Sequence, residues 1–157
     1  VNKLKLIWAL SPKLKLLYLE AIIYLGIARI LKAFSFSRVG PTLGEQGTES
    51  SFTLSNTTIR SIMQISEAVQ IMSKYTFWES QCLVKAIAAM KMLERRRIES
   101  TLYLGVGKDE QKKLIAHAWL RSGDYYLTGS EGMEKFTVVG SFAYRCPDKR
   151  LKGEKNG

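Results

Sequence analysis

The sequence is poor in the residues that staple or ligate. It has one histidine, two cysteines and three prolines among 157 residues. Two cysteines at positions 82 and 146 make no disulfide framework, so the fold must rest on a hydrophobic core. Neither lies in a Cys-x-x-Cys pair, and with His117 alone they cannot complete a zinc site. Cysteine usage of this kind is that of a reducing compartment and implies a cytoplasmic protein. Acids are also scarce. Fourteen Asp and Glu face 24 Lys and Arg, a net charge of +10, and residues 1–40 hold seven basic side chains against Glu20 alone. Such a surface favours anionic partners, although much of the charge can be a solvated face. A long uninterrupted apolar run is missing too. LLYLEAIIYLGIARIL, residues 16–31, is broken by Glu20 and Arg29, which argues against a membrane span and leaves a helix that could lie on a membrane. No small-residue cleavage site follows it, so it does not read as a secretory signal. GVGKDE lacks the spacing of a phosphate-binding loop.

Hydrophobic residues make up 46% of the chain, ample for a core. Ser11-Pro12 starts a helix, with a capping hydroxyl before proline at the first helical position, and the pattern runs to about Ala33. Residues 34–55 read as a loop, with Gly40-Pro41, Gly44, Gly47 and a Ser/Thr cluster. A second helix is expected over 57–74, capped by Asn56 or Thr57, with Ile59, Ile62, Met63 and Val69 facing inward. Thr76-Phe-Trp-Glu79 matches a capping box for a third helix that runs through Cys82 to about Arg97. The period then changes. Segments 100–107, 114–121, 125–129 and 136–143 are β-branched and aromatic, separated by turn residues, and read as an antiparallel meander. Helices followed by strands predict an α+β fold. The organisation expected is a helical segment and loop over 1–55, a core over 56–146 and a polar tail over 147–157.

Two residues stand where nucleophilic chemistry could be built. Cys82 falls near the start of its helix, where the positive end of the helix dipole favours a thiolate and main-chain N–H groups can hold an oxyanion. The plainer reading is a small core residue. His117 lies in a strand between Ala116 and Ala118, with room around its ring for general acid and base work. The plainer reading there is a structural histidine.

Larger motifs surround this pair: Trp78 followed by Cys82-Leu83, Leu93…Arg-Arg-Arg-Ile98, Leu102-x-Leu-Gly-Val106 and Ala116-His-Ala-Trp119. Over residues 78–129, and at the N-terminal Leu-Ser-Pro12 helix, the chain resembles the leader peptidases of lasso-peptide biosynthesis. These are transglutaminase-like B-type maturation proteases in the split form that lacks a recognition domain. The resemblance implies a papain/transglutaminase-like fold, with a catalytic helix packed on an antiparallel sheet. It also implies a cofactor-free cysteine protease that cuts the leader from a ribosomally made precursor peptide. Its partners would be a separate leader-recognition protein and an ATP-dependent macrolactam synthetase; the apolar, basic N-terminal helix would be a docking element for one of these or for a peripheral membrane contact, and no nucleic acid is expected. Cys82 would be the nucleophile and His117 the base, with Trp119 and Gln81 lining the substrate site. Family members with a triad carry the acid about twelve residues after the histidine, and here that position is Gly129. Glu131 is the favoured substitute and Asp124 the weaker one; a main-chain carbonyl or water is the alternative. A transglutaminase-like acyltransferase on the same pair, or a non-catalytic basic module binding membrane or nucleic acid, would be the rival activities.

Overall fold

The computed structural model describes Lys5, residues 8–78 and residues 81–147. Helix α1, Pro12–Lys32, begins where Ser11 Oγ accepts from the Leu14 N–H, with proline at the first helical position. Helix α2, Phe36–Leu43, occupies part of the expected loop. Gly40-Pro41 reads as a turn in isolation, but Val39, Gly40 and Leu43 are buried, and Gly40 packs against the Phe142 ring. Tertiary contact thus overrides the local turn signal. The two-residue strand β1, Glu45–Gln46, follows. Helix α3, Asn56–Met72, is capped by Ser55, one residue before the expected caps. Ile62 and Val69 are buried as expected, whereas Met63 points outward, 59% exposed.

Helix α4 spans Cys82–Arg95 and starts later than the sequence suggests. Thr76 does not cap it: its hydroxyl donates to the carbonyls of Ser73 and Trp78, turning the chain after α3. Glu79, the other half of the expected box, lies outside the described residues. The last turn of α4 closes at Arg96, where the chain leaves for the sheet. Val84, Ala86, Ile87, Ala88, Ala89, Met90, Met92 and Leu93 are all buried, so α4 is enclosed on nearly every side. Small Ala residues let α1 and α3 approach one flank while the sheet covers the other. One core results, with Ala21, Leu25, Val39 and Leu43 joining α3, α4 and the strands. Arg96 forms a bidentate pair with Glu20 at 2.7 Å per bond, pinning the end of α4 to the middle of α1.

The strands are β2, Ser100–Lys108; β3, Leu114–Ser122; β4, Tyr125–Thr128; and β5, Thr137–Tyr144. Their order is β1-β5-β2-β3-β4, antiparallel throughout. The meander expectation holds for β2, β3 and β4, but β5 crosses back to pair with β2 rather than β4. Gly129 and Gly132, both at positive φ, and the short 3₁₀ turn Met133–Lys135 carry the chain over. Among the described residues, four α-helices of a turn or more and a five-stranded antiparallel sheet make the fold α+β. Among the described residues no helix is long and apolar enough to cross a membrane. The polar tail beyond Pro147 lies outside the described residues.

Candidate active site

Pleat alternation divides the sheet's side chains. Leu102, Leu104, Ala118 and Leu120, beneath α4, and Phe142, beneath α2, belong to the core. Tyr103, His117, Trp119 and Arg121 alternate with them and form a column on the other face. The Arg121 guanidinium lies 3.8 Å from the Phe52 ring centre and 5.9 Å from that of Tyr103. Tyr103 stacks on Trp119 at 5.7 Å, Trp119 on His117 at 5.8 Å, and His117 meets Phe136 at 4.9 Å. Gly105 makes room for the stack, because a β-carbon there would fall 2.8 Å from the Trp119 ring.

The column is anchored at one end and open at the other. Arg121 is only 2% exposed and donates to Tyr103 Oη and to the carbonyls of Gly123 and Ser50. The Tyr103 hydroxyl in turn donates to Glu49. Burial, and then the carboxylate of Glu49, raise the Tyr103 pKa, while Arg121 opposes them. At the open end, His117 Nε2 lies 2.7 Å from the carbonyl oxygen of Gly129. A carbonyl can only accept, so this bond requires the proton on Nε2 and leaves Nδ1 of the neutral ring as the basic nitrogen. Gly129 holds φ +71°, and a β-carbon there would stand 2.3 Å from the Ala118 carbonyl oxygen. The twelfth residue after His117 therefore serves the ring through its main chain.

Glu131 and Asp124 are both exposed, and neither bonds to His117. Trp119 is buried within the column, 5% exposed. Gln81 is the N-cap residue of α4 without capping it by its side chain, and its Oε1 accepts from Lys32 Nζ at 3.4 Å. Cys82 is the first residue of α4, a half-buried free thiol packed against the core. The late start of the helix thus sets this thiol in the first turn, where main-chain N–H groups have no partner within the helix. Cys146 sits apart, its Sγ bonded to the Arg97 carbonyl oxygen.

Ideal rises put Cys82 and His117 at similar heights along the sheet, with the imidazole on the face away from α4. Fourteen helical residues rise about 21 Å. A strand returning at about 3.3 Å per residue covers that in roughly six residues, from Ser100 to near Val106. Val106 pairs with Ala116, the neighbour of His117. β4 ends at Thr128, opposite Leu120, so its pairing with β3 stops short of His117. The imidazole therefore stands at an open sheet edge. Among the described residues no hydrogen bond joins Cys82 Sγ to His117, and no group of three or more His, Cys, Asp or Glu could hold a metal ion.

The open column was hard to foresee. A main-chain acceptor leaves no side-chain signature, and Phe136 reaches His117 only because β5 crosses back. The one sequence signal was a glycine where the resemblance calls for an acid. Searches among curated proteins and among solved structures return no match. The profile of the transglutaminase-like superfamily matches residues 21–141, most of the chain and everything from α1 through β5 that forms the site. With a helix-end cysteine, a strand-borne histidine and an antiparallel sheet in that match, the chain belongs to the transglutaminase-like superfamily.

Proposed function

We propose that this protein is a cysteine peptidase that removes the leader from a ribosomally made lasso-peptide precursor. The observation that supports the chemistry is the imidazole whose Nε2–H is held by Gly129, leaving Nδ1 of the neutral ring to accept a proton. The ring and α4 lie on opposite faces, so the ring meets the Cys82 thiol only around the edge of β3. His117 takes the proton of Cys82, and the thiolate attacks the scissile carbonyl carbon. First-turn N–H groups of α4 hold the resulting oxyanion. His117 then protonates the departing amine, which leaves as the N-terminus of the core peptide, and a thioester joins the leader to Cys82. Water, deprotonated by His117, attacks the thioester; the leader leaves with a free carboxylate and the thiol is restored. The reaction takes place across the open edge of β3, with Trp119 packed behind the His117 ring.

The substrate assignment rests on the motifs around Cys82 and His117. A separate recognition protein presents the leader, and the core passes to an ATP-dependent macrolactam synthetase. Glu131 has no part in orienting the ring in this reading, because Gly129 supplies the acceptor. Mass spectrometry of the leader fragment, released with the recognition protein present, tests the reaction type. Hydrolysis leaves a free carboxylate. An adduct carrying an added amine would instead establish acyl transfer, and an intact precursor would overturn the assignment.

A further inference from the structure

Helix α1 buries one face through Ala21, Leu25 and Ala28 and leaves a second apolar face uncovered. Leu16, Leu19, Ile23, Ile27 and Ile30 are 42–66% exposed, and Phe34, just past the helix, is 53% exposed. Spacings of three and four residues set them in one line. From Leu16 to Phe34 that line runs about 27 Å at 1.5 Å per residue. At its N-terminal end Trp8 is 78% exposed, with the Lys15 ammonium over its ring at 5.4 Å. An isolated exposed leucine needs no explanation, but a continuous stripe of this length does.

The charge around the stripe narrows the choice of what covers it. Lys13 and Lys15 precede Leu16 and, at 100° per residue, project to either side of the line. Arg95, its side chain 64% exposed, reaches in from α4 to border the groove formed by Leu16, Leu19, Ile23 and Ile27. The acid in this region, Glu20, is 11% exposed and paired with Arg95 and Arg96. The hydrogen bond from Arg96 keeps its carboxyl below the usual range. A second copy of this chain would bring like charges together on a protein whose net charge is +10. A straight apolar stripe with cations on both flanks and an aromatic at each end is the layout of a helix lying in a bilayer interface. No described helix can cross the bilayer, so the contact is peripheral.

We infer that α1 is a membrane-surface element that seats the folded protein on an anionic lipid bilayer, its Leu16–Phe34 stripe in the acyl boundary and Lys13, Lys15 and Arg95 at the headgroups. This contact is independent of the proposed peptidase activity, and its test needs no substrate. The full chain is sedimented with vesicles of phosphatidylcholine alone and with vesicles containing phosphatidylglycerol. Three cations at the surface, each worth roughly fivefold in partition, predict about a hundredfold preference for the anionic vesicles. The Ile23→Glu/Ile27→Glu double variant should lose at least tenfold in that binding while keeping the circular dichroism of the wild type. If that variant does not fold, quenching of Trp8 fluorescence by brominated lipid in the wild type, with Trp8→Phe as control, replaces it. No binding to anionic vesicles at low salt, binding by the double variant equal to wild type, or absence of quenching would each overturn the inference. So would stripe-dependent self-association, or capture of the stripe by an acidic helix, without vesicle binding.

Discussion

The two faces of the sheet use the same strands for opposite ends. On one face Leu102, Ala118 and Leu120 are closed off by α4 and Phe142 by α2, and their only task is to fill space. On the other, the residues between them form a column that begins in a buried Arg121, each of whose guanidinium nitrogens is hydrogen-bonded, and ends in a half-exposed His117. A period of two lets a single nine-residue strand carry both, because each residue of chemistry is held by a neighbour of packing. Substitutions on the covered face should therefore cost stability, and those at the open end of the column should cost turnover.

The largest effect expected is at His117. His117→Ala should lower leader cleavage by at least about a thousandfold while leaving the thermal midpoint nearly unchanged. A large loss of stability in the same variant would break the division between the faces. Leu120→Ala removes a fully buried side chain opposite the column and should cost about 2–5 kcal/mol in chemical denaturation, with turnover preserved in the folded fraction. Gly129→Asp sharpens the comparison. It restores an acid at the twelfth position, yet the positive φ and the 2.3 Å approach to the Ala118 carbonyl make it destabilising, by about 2 kcal/mol. It should lower activity rather than raise it; a gain would mean that a side chain, not the main chain, orients the ring best.

The smallest effect lies away from the sheet, at the α1–α4 clasp. Hydrogen bonding to Arg96 lowers the Glu20 pKa in the folded protein, against the opposing pull of burial. A depressed carboxyl contributes stability that is present above the unfolded value, about 4.3, and is lost as pH falls through the folded value. Glu20→Gln should thus reduce stability at neutral pH and flatten its decline in acid. Denaturation midpoints at neutral and acidic pH measure both, and an unchanged acid slope would remove Glu20 from the account.

Much of the fold was legible because strong local signals agreed with tertiary packing. Ser11-Pro12 fixed the start of α1, and Gly123 with Asp124 made the tight β3–β4 turn. Legibility failed where distant contacts decided. α2 exists because Val39, Gly40 and Leu43 find a core, against the turn signal of Gly40-Pro41. Strand β5 chooses β2 over β4 by a crossing that no local pattern records. The Thr76 box misled because α4 starts only at Cys82, while the Thr76 hydroxyl bonds carbonyls on either side of it, those of Ser73 and Trp78. In the proposed site, Cys82 and His117 could be named from sequence because nucleophilic chemistry calls for those side chains. What holds His117 is a carbonyl, and every residue has one.

The central claim is that Cys82 and His117 perform the cleavage together. The most direct measurement is single-turnover cleavage of the precursor, with the recognition protein present, by wild type, Cys82→Ala and His117→Ala. Loss of product in both variants, with an acyl-enzyme on Cys82 detected by intact-protein mass in the wild type, is the result expected. Cleavage by Cys82→Ala at the wild-type rate would contradict it.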